Sequence, residues 1–257
     1  MTATPLARRA TCPDIAGGDV GRPRDHTRPD GPWRFDAEVT RVFDDMLDRS
    51  IPNLTTMRDC VVDLARSRAR APGAIVDLGV SRGGMLAPIL EVLGRDDALK
   101  YLGVDFSPEM IKAATEVLPL EVELRTHDLR RGFPYVGSGV RMTLSVLTLQ
   151  FVPIEFRQRI IREAYNATIP GGVFVLVEKL VGSSALLQDI STEIYHDFKA
   201  SNGYSADDIE AKRLSLENTM VPLTEAANVE MLRAAGFADV ECFWRWFNFG
   251  GFVAVKR

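Results

Sequence analysis

The chain has 257 residues, a formal net charge of −4, 46% hydrophobic residues and 26% charged residues. This composition is ordinary for a globular protein and excludes both wholesale disorder and a strongly basic surface that tracks nucleic acid. No stretch reaches the roughly 18 apolar residues of a membrane span, and no signal-peptide core follows the amino terminus. The cysteines, Cys12, Cys60 and Cys242, are too scattered for a disulfide framework or a metal site. We therefore expect a cytoplasmic protein that binds small molecules and contacts neither nucleic acid nor a membrane directly.

Residues 1–32 are rich in Pro, Gly, Asp, Arg and Thr and show almost no periodic apolar pattern. Such a segment buries too little apolar surface to offset its ordering entropy, so we predict a mobile arm over 1–32. A single α/β domain is expected over 33–257. Apolar residues recur at helical spacing over 35–47 and 57–65, which predicts two amphipathic helices at the start of this domain.

From residue 74 onward, strand patterns alternate with helix patterns. The predicted strands are 74–78, 100–105, 120–125, 141–147 and 173–178, and the predicted helices between them are 85–93, 108–117 and 154–167. Alternation of this kind indicates a parallel, doubly wound sheet. Pro170-Gly171-Gly172 is predicted to form a tight turn before the last of these strands.

The carboxy-terminal third contains a polar, helical stretch at 183–221, which we interpret as an insertion that caps the site, and a helix at 224–235. Two aromatic and β-branched runs at 240–247 and 252–256, joined through 248–251, predict an antiparallel hairpin. The expected architecture is thus a seven-stranded, mostly parallel sheet with a terminal antiparallel hairpin and a helical cap. The outward-facing half of one aromatic set is expected to form a homo-oligomer surface, in a homodimer; the set is Trp244, Trp246, Phe247 and Phe249.

A glycine-rich segment, residues 77–84, follows the first predicted strand and precedes a helix. Glycines let backbone amides approach a ligand with no Cβ in between. Their positions, 79, 83 and 84, do not match the G-x-G-x-x-G spacing of dinucleotide-binding loops. An S-adenosylmethionine (SAM) loop needs no phosphate cradle, so SAM is the favoured ligand. The residues of this segment predicted to contact it are Asp77, Gly79, Val80, Ser81 and Gly83.

Acidic residues also follow the next two predicted strands. Asp105, with Phe106 after it, ends the second strand, where its carboxylate can accept hydrogen bonds from both ribose hydroxyls. Ser107 is the better candidate to cap the following helix. Asp128 and Leu129 follow the third strand, where the carboxylate can accept a hydrogen bond from the exocyclic amine of adenine. These four residues, Ser107 aside, join the predicted cofactor contacts.

Several longer motifs are spread over residues 33–257. They are Phe35-Asp36, Arg49-Ser50-Ile51-Pro52, Asp77-Leu78-Gly79, Thr148-Leu149-Gln150-Phe151, His196-Asp197-Phe198-Lys199, Asn202-Gly203-Tyr204-Ser205, Lys212-Arg213 and Phe247-Asn248-Phe249-Gly250. Together they resemble the carboxy-S-adenosylmethionine (carboxy-SAM) synthase family. The later motifs are far more specific than the glycine-rich segment.

The resemblance implies a class I SAM-methyltransferase (Rossmann-like) fold and a SAM-dependent transferase, with SAM or carboxy-SAM as its cofactor. Members of the family combine SAM with prephenate to make carboxy-SAM, which a partner enzyme uses to modify the wobble uridine of transfer RNA. In the family an arginine that matches Arg213 holds the added carboxylate, a role that suits the planar guanidinium fork.

Two positions differ from the family's pattern. The family's tyrosine after the Ser-x-Pro turn aligns with Leu54, and its asparagine before the Thr-Leu-Gln-Phe motif aligns with Val146, which we also count among the cofactor contacts. Both changes delete polar groups, and a hydrogen bond to a negatively charged sulfonium substituent contributes about 1–3 kcal/mol. The leading hypothesis is therefore a SAM-dependent methyltransferase that acts on a small carboxylate-bearing metabolite of the 2-oxo acid type.

Under this hypothesis Arg213 binds the substrate carboxylate. His196, Tyr204 and Glu178 are the candidate catalytic acid, base or orienting groups, because proton removal calls for a side chain that titrates near neutral pH. Two alternatives remain open. One is a divergent carboxy-SAM synthase that uses SAM and prephenate, and the other is a non-catalytic SAM-binding subunit.

Overall fold

A seven-stranded sheet organises the computed structural model, which describes residues 23–69, 72–94 and 98–257. The strands are β1 (Gly73–Leu78), β2 (Leu99–Asp105), β3 (Val122–Thr126), β4 (Val140–Val146), β5 (Thr168–Lys179), β6 (Asp239–Trp246) and β7 (Phe249–Val255). Their order across the sheet is β3-β2-β1-β4-β5-β7-β6. Strands β1 to β5 run parallel, and β7 is antiparallel to both of its neighbours. The predicted fold class, a mostly parallel sheet with a terminal antiparallel hairpin, is confirmed.

Helices cover both faces of this sheet. Those in the described ranges are α1 (Ala37–Ser50), α2 (Leu54–Arg68), α3 (Leu86–Leu93), α4 (Pro108–Val117), α5 (Ile154–Ala167), α6 (Ala185–Ser201), α7 (Ala206–Leu216) and α8 (Glu225–Ala235). Helices α2 and α3 pack on one face, and α5 and α8 pack on the other. Helices α6 and α7 occupy the region predicted to be an insertion. Within the described part of the chain, no helix combines the length and the apolar character needed to cross a membrane.

Strand side chains alternate between the two apolar layers. In β1, Ala74, Val76 and Leu78 belong to the layer shared with α5 and α8, whereas Ile75 belongs to the layer shared with α2 and α3. Strands that are covered on both faces are apolar throughout. The sequence of β1 follows this rule from Gly73 to Val76. Asp77 interrupts this pattern on the Ile75 side of the strand and is only 2% exposed. A buried carboxylate at the end of a core strand calls for a specific role.

Side-chain caps define several helix ends that the sequence indicates. The Ser107 hydroxyl accepts a hydrogen bond from the Met110 amide at the start of α4, so the prediction that Ser107 caps this helix is confirmed. Thr224 caps α8 in the same way, and Gly236, with φ of +121°, ends it. Local hydrogen bonding therefore fixes these boundaries before any tertiary contact is considered.

The predicted tight turn at Pro170–Gly172 is wrong in its position. These residues lie inside β5, where the pairing register with β4 shifts. The Gly171 amide donates a hydrogen bond to the Lys256 carbonyl, so the last residues of the chain pair with this part of the strand. The glycines allow the irregular backbone at this point within β5 and do not form a chain reversal before the strand.

The predicted hairpin connection is wrong in its length. Residues 247–248 join β6 to β7, rather than residues 248–251, so Gly250 and Gly251 are paired residues of β7. A Cβ atom on Gly251 would lie 2.7 Å from the ring of Phe243. Glycine at this position admits a neighbouring aromatic ring and does not mark a turn.

Residues 23–32 pack against the domain, although they belong to the predicted mobile arm. Asp25 is 1% exposed, and its carboxylate accepts hydrogen bonds from Lys212 Nζ at 2.6 Å and Tyr204 Oη at 2.5 Å. Arg49 donates to the Asp25 carbonyl at 2.9 Å. The predicted arm is thus corrected for residues 23–32, because a buried ion pair ties Asp25 to α7. Residues 1–22, the rest of the predicted arm, lie outside the described residues.

The turn after β1 requires glycine at position 79, where φ is +79° and an added Cβ would collide with the Thr148 side chain. Gly94 has a similar φ of +77°, yet nothing lies within 4 Å of its added Cβ. We expect Gly94→Ala to lower the free energy of unfolding by about 1 kcal/mol through backbone strain alone. Gly79→Ala should cost about 1–3 kcal/mol more, because Thr148 must move. Urea denaturation measures both losses, and equal losses would contradict the collision.

Candidate active site

A cavity of about 1030 Å³ lies at the carboxyl ends of β1, β2, β4 and β5. The crossover connections leave β1 and β4 toward opposite faces of the sheet, and ligands of open α/β sheets bind at such a switch point. The volume lies at the upper end of the range for small-molecule pockets, so a nucleoside ligand and a second small molecule fit together.

The glycine-rich segment, residues 77–84, forms one wall of this cavity. Among its predicted contacts, those that line the cavity are Asp77, Gly79, Val80 and Ser81. Gly83 does not line it, because its position, with φ of +86°, packs against the Leu118 side chain. Gly84 lines the cavity instead.

Two carboxylates make this side of the cavity acidic. Asp105 accepts hydrogen bonds from the Ser81 amide at 3.0 Å and the Ser107 amide at 2.9 Å, which fixes the loops after β1 and β2 relative to each other. Burial, and then repulsion from Asp105, raises the pKa of Asp77 to about 7. Burial also raises the pKa of Asp105. Such a pair suits a ligand that brings hydroxyl donors and positive charge.

The loops after β2 and β3 supply the outer rim. Asp128 lines the cavity, but its carboxylate already pairs with the Arg130 guanidinium at 2.7 Å, and that hydrogen bond lowers its pKa. Leu129 lies buried beside it. Phe106 also lines the cavity and is 65% exposed, with the Arg130 guanidinium carbon 5.8 Å from its ring centroid. The rim therefore offers a flat aromatic surface and an acid that is partly neutralised.

None of the four predicted catalytic residues lies among the described residues that line the cavity. Arg213 sits on the solvent side of α7, in ion pairs with Glu210 at 2.8 Å and Glu217 at 3.3 Å. Its sequence neighbour Lys212 lines the cavity instead. Adjacent residues of a helix point about 100° apart, so the two side chains cannot face the same space.

Tyr204 and His196 lie close to the cavity without lining it. Tyr204 is 4% exposed, its hydroxyl donates to Asp25, and the Arg49 guanidinium carbon lies 3.9 Å from its ring centroid. These contacts, together with burial that raises the pKa of its hydroxyl, make Tyr204 an anchor for the segment that contains Asp25. His196 is half-buried on α6, and burial and the nearby Lys199 lower its pKa.

Glu178 accepts hydrogen bonds from the backbone of residues that line the cavity. It is 2% exposed, and burial raises its pKa to about 8 against the opposing effects of Arg157 and of the backbone amides of residues 148–150. Arg157, 1% exposed, donates to the carbonyls of Val152 and Gln150. The two side chains thus hold the loop over 148–152, which does line the cavity.

Sequence reasoning missed the basic side of the cavity. Lys179, at the carboxyl end of β5, and Lys199, on α6, both line it, and their Nζ atoms lie 4.7 and 5.6 Å from the Tyr195 ring centroid. Burial lowers the pKa of each lysine to about 8. The sequence signal for the basic side is the pair Glu178-Lys179 at the end of a strand, of which Lys179 and not the predicted Glu178 lines the cavity. Successive strand residues point to opposite faces, so only one of them can face the cavity.

The two positions that depart from the family's pattern also line the cavity. Leu54 begins α2 and is 6% exposed, and Val146 ends β4. Because β4 lies between β1 and β5, Val146 separates the acidic side from the basic side. This part of the wall is apolar.

Comparisons with known proteins identify relatives that match nearly the whole chain. A family described as a methyltransferase domain matches residues 75–172. The carboxy-S-adenosyl-L-methionine synthase of Methylococcus capsulatus is 38% identical over 227 residues, which are 86% of this chain and 93% of that protein. The protein of the same name from Nautilia profundicola is 35% identical over 87% of this chain and 94% of its own length.

Solved structures show the same fold at low sequence identity. Human N-acetylserotonin methyltransferase in complex with SAM superposes with a TM-score of 0.55 at 13% identity, over 86% of this chain and 55% of that chain. An O-methyltransferase family protein from Burkholderia thailandensis superposes with a TM-score of 0.56 at 20% identity, over 86% of this chain and 61% of that chain. This chain therefore spans less than two thirds of either structure.

The resemblance predicted from the late motifs is confirmed by these relatives. Three findings support the same family. They are the fold, the position of the cavity at the β1/β4 switch point, and the relatives at 35–38% identity over most of their length. The chain belongs to the carboxy-S-adenosyl-L-methionine synthase family of SAM-dependent transferases.

Proposed function

We propose that the protein is a carboxy-SAM synthase, which binds SAM over β2, β1 and β4 and takes a carboxyl group from a carboxylate donor. The observation that carries the proposal is the division of the cavity into an acidic side at Asp77 and a basic side at Lys179. SAM carries positive charge near its reacting methyl group, and a carboxylate donor carries negative charge. The relatives of that name favour this reaction over ordinary methyl transfer.

The residues present suit SAM. Asp105 keeps lone pairs for the ribose hydroxyls beyond the two backbone amides it already accepts from. The exposed ring of Phe106 offers a stacking surface for adenine. Asp77 places a carboxylate near the cationic amino-acid part, and Arg58 lines the cavity beside Gly84, where it can bind the amino-acid carboxylate. SAM, when bound, supplies a sulfonium methyl group, one hydrogen of which the synthase reaction replaces with a carboxyl group.

The apolar wall keeps the reacting region dry. The side chains of Leu54 and Val146 cannot hydrogen-bond water or ligand, and the fully buried Met57 lines the cavity as part of the same apolar layer. Charges within such a wall interact more strongly than in water. A carboxylate donor and a sulfonium bound on either side of this wall therefore attract each other more strongly than they do in water.

Methyl transfer to a small carboxylate-bearing metabolite is the second candidate. The same two apolar side chains favour it, because neither can hydrogen-bond a carboxylate carried on the sulfonium. Under this reaction the basic side of the cavity binds the acceptor's carboxylate, and SAM loses a methyl group rather than gaining a carboxyl group.

We expect the purified protein to convert SAM, in the presence of prephenate, to a nucleoside heavier by the mass of carbon dioxide. Mass spectrometry of the products, with prephenate omitted as the control, measures this. S-adenosylhomocysteine together with a methylated acid would establish methyl transfer instead. Bound SAM that stays unchanged with prephenate and with a panel of 2-oxo acids would indicate a non-catalytic SAM-binding subunit.

SAM affinity should depend on pH through Asp77. Because the pKa of this carboxyl is raised to about 7, the group is neutral at lower pH and attracts a cationic ligand less. We expect the Kd for SAM to rise as the pH falls below 7, by at most about tenfold per pH unit, and to level off above pH 7. The negative charge of Asp105 contributes to this raised pKa, because it disfavours ionisation of the neighbouring Asp77 carboxyl.

Isothermal titration calorimetry over pH 5.5–8.5, a range set about the pKa region, measures this dependence. Asp77→Asn should weaken binding at high pH and flatten the profile. Asp189→Asn, an exposed aspartate on α6, is the matched control and should leave both unchanged. A wild-type profile that is flat across pH 7 would overturn the role given to Asp77.

A further inference from the structure

We propose that Lys179 and Lys199, here called the lysine pair, form the binding site for the carboxylates of the co-substrate. The inference rests on the proposed function, in which a carboxylate donor enters beside SAM. It adds the residues that bind the carboxylates of the donor.

Lys199 lies near three other cationic side chains, Lys179, Lys212 and Arg49, and the last two already have carboxylate partners. Lys212 Nζ lies 2.6 Å from an Asp25 carboxylate oxygen, and Arg49 Nη1 lies 3.2 Å from an Asp45 oxygen. For the lysine pair, no described residue supplies an ion pair or a hydrogen bond to either Nζ atom. The two ammonium groups of the lysine pair are therefore left to bind the carboxylates of a ligand.

Burial makes this arrangement costly without a ligand. Lys199 is 6% exposed, and lysines are rarely buried without an anionic partner. The rings of Tyr195 and Tyr204 lie 5.6 and 5.2 Å from Lys199 Nζ and attract the ammonium group. A ring carries no net negative charge, however, and the repulsion of Lys199 by Lys179 and Lys212 outweighs its attraction to Asp25. A carboxylate that binds to the lysine pair offsets both the cost of burying an unpaired ammonium group and the repulsion between the lysines. We therefore expect the lysine pair to contribute strongly to binding.

Position along the sheet separates the lysine pair from the amino-acid carboxylate of SAM. Lys179 ends β5, and Asp77 is the penultimate residue of β1, with β4 between them. Two strand spacings of about 4.8 Å each therefore lie between the lysine and the glycine-rich segment. Arg58 lies much nearer to that segment, since a Cβ on Gly84 would be 2.9 Å from its guanidinium nitrogen. The SAM carboxylate has a cation of its own, and the lysine pair faces the second ligand.

The first test measures turnover and SAM binding in the same variants. Lys179→Met and Lys199→Met remove one charge each and keep an unbranched side chain of similar length; Lys100→Met, at an exposed position of β2, is the control. We expect the KM for prephenate to rise about tenfold or more in the two cavity variants, with the Kd for SAM changed by less than about twofold. An unchanged KM, or an equal loss of SAM affinity, would overturn the inference.

The second test needs no turnover. Calorimetry of SAM-loaded protein compares malonate, a dianion, with acetate, a monoanion. Wild-type protein should bind malonate at least about tenfold more tightly than acetate, and each cavity variant should lose that preference, whereas Lys199→Arg should retain it. Malonate binding that does not differ between wild type and variants would refute the lysine pair even in an active synthase. If wild-type protein makes no carboxy-SAM but shows the preference, the proposed function fails and the carboxylate site at the lysine pair stands.

Discussion

The parallel pairing of β1 with β4 is the constraint on which the rest of the structure depends. Because the chain leaves these neighbouring strands toward opposite faces of the sheet, their following loops diverge and a crevice opens between them. Four successive strands of the sheet place a ligand-facing residue at or next to their carboxyl ends along this crevice: Asp105, Asp77, Val146 and Lys179. The spacing of the ligand-facing groups is thus set by the strand spacing and by two close-packed apolar layers.

Charge is arranged along the same edge. Acidic groups gather over β1 and β2 and ammonium groups over β5 and α6, with an apolar stretch at Leu54 and Val146 between them. A uniform cavity of either sign would bind SAM or an acidic metabolite, but it would hold the other poorly. Separation allows both to be bound side by side. The Glu178–Arg157 support behind residues 148–152 keeps the wall between the two sides in place.

Local periodicity was enough to predict the fold. Helix α5 has the predicted bounds, Ile154–Ala167, because its start at Pro153 and its apolar spacing are both local features. The glycines at 171 and 251 were misinterpreted as turn residues, since a partner strand and the Phe243 ring, distant in sequence, create the need for them. Pattern alone cannot distinguish a glycine that reverses the chain from one that makes room within a strand.

The acidic side of the site was also accessible from sequence, because strand ends in a parallel sheet share an edge and place Asp77 and Asp105 together. The basic side was not. Whether Lys212 or Arg213 faces the cavity depends on how α7 is rotated against its neighbours, and whether a lysine has a partner depends on the whole fold. Asp25, which pairs with Lys212, lay in a segment whose composition indicated disorder.

The ion pair between Asp25 and Lys212 joins residues 187 positions apart, which bears on how the protein is made. A ribosome releases the amino-terminal half first, so the Asp25 carboxylate has no partner until α7 has emerged from the exit tunnel. Strands β7 and β6 follow later still, and until then one edge of β5, the longest strand, exposes unpaired backbone groups. A nascent chain therefore carries an open sheet edge from the synthesis of β5 until that of β7, and chaperones have this interval in which to shield it.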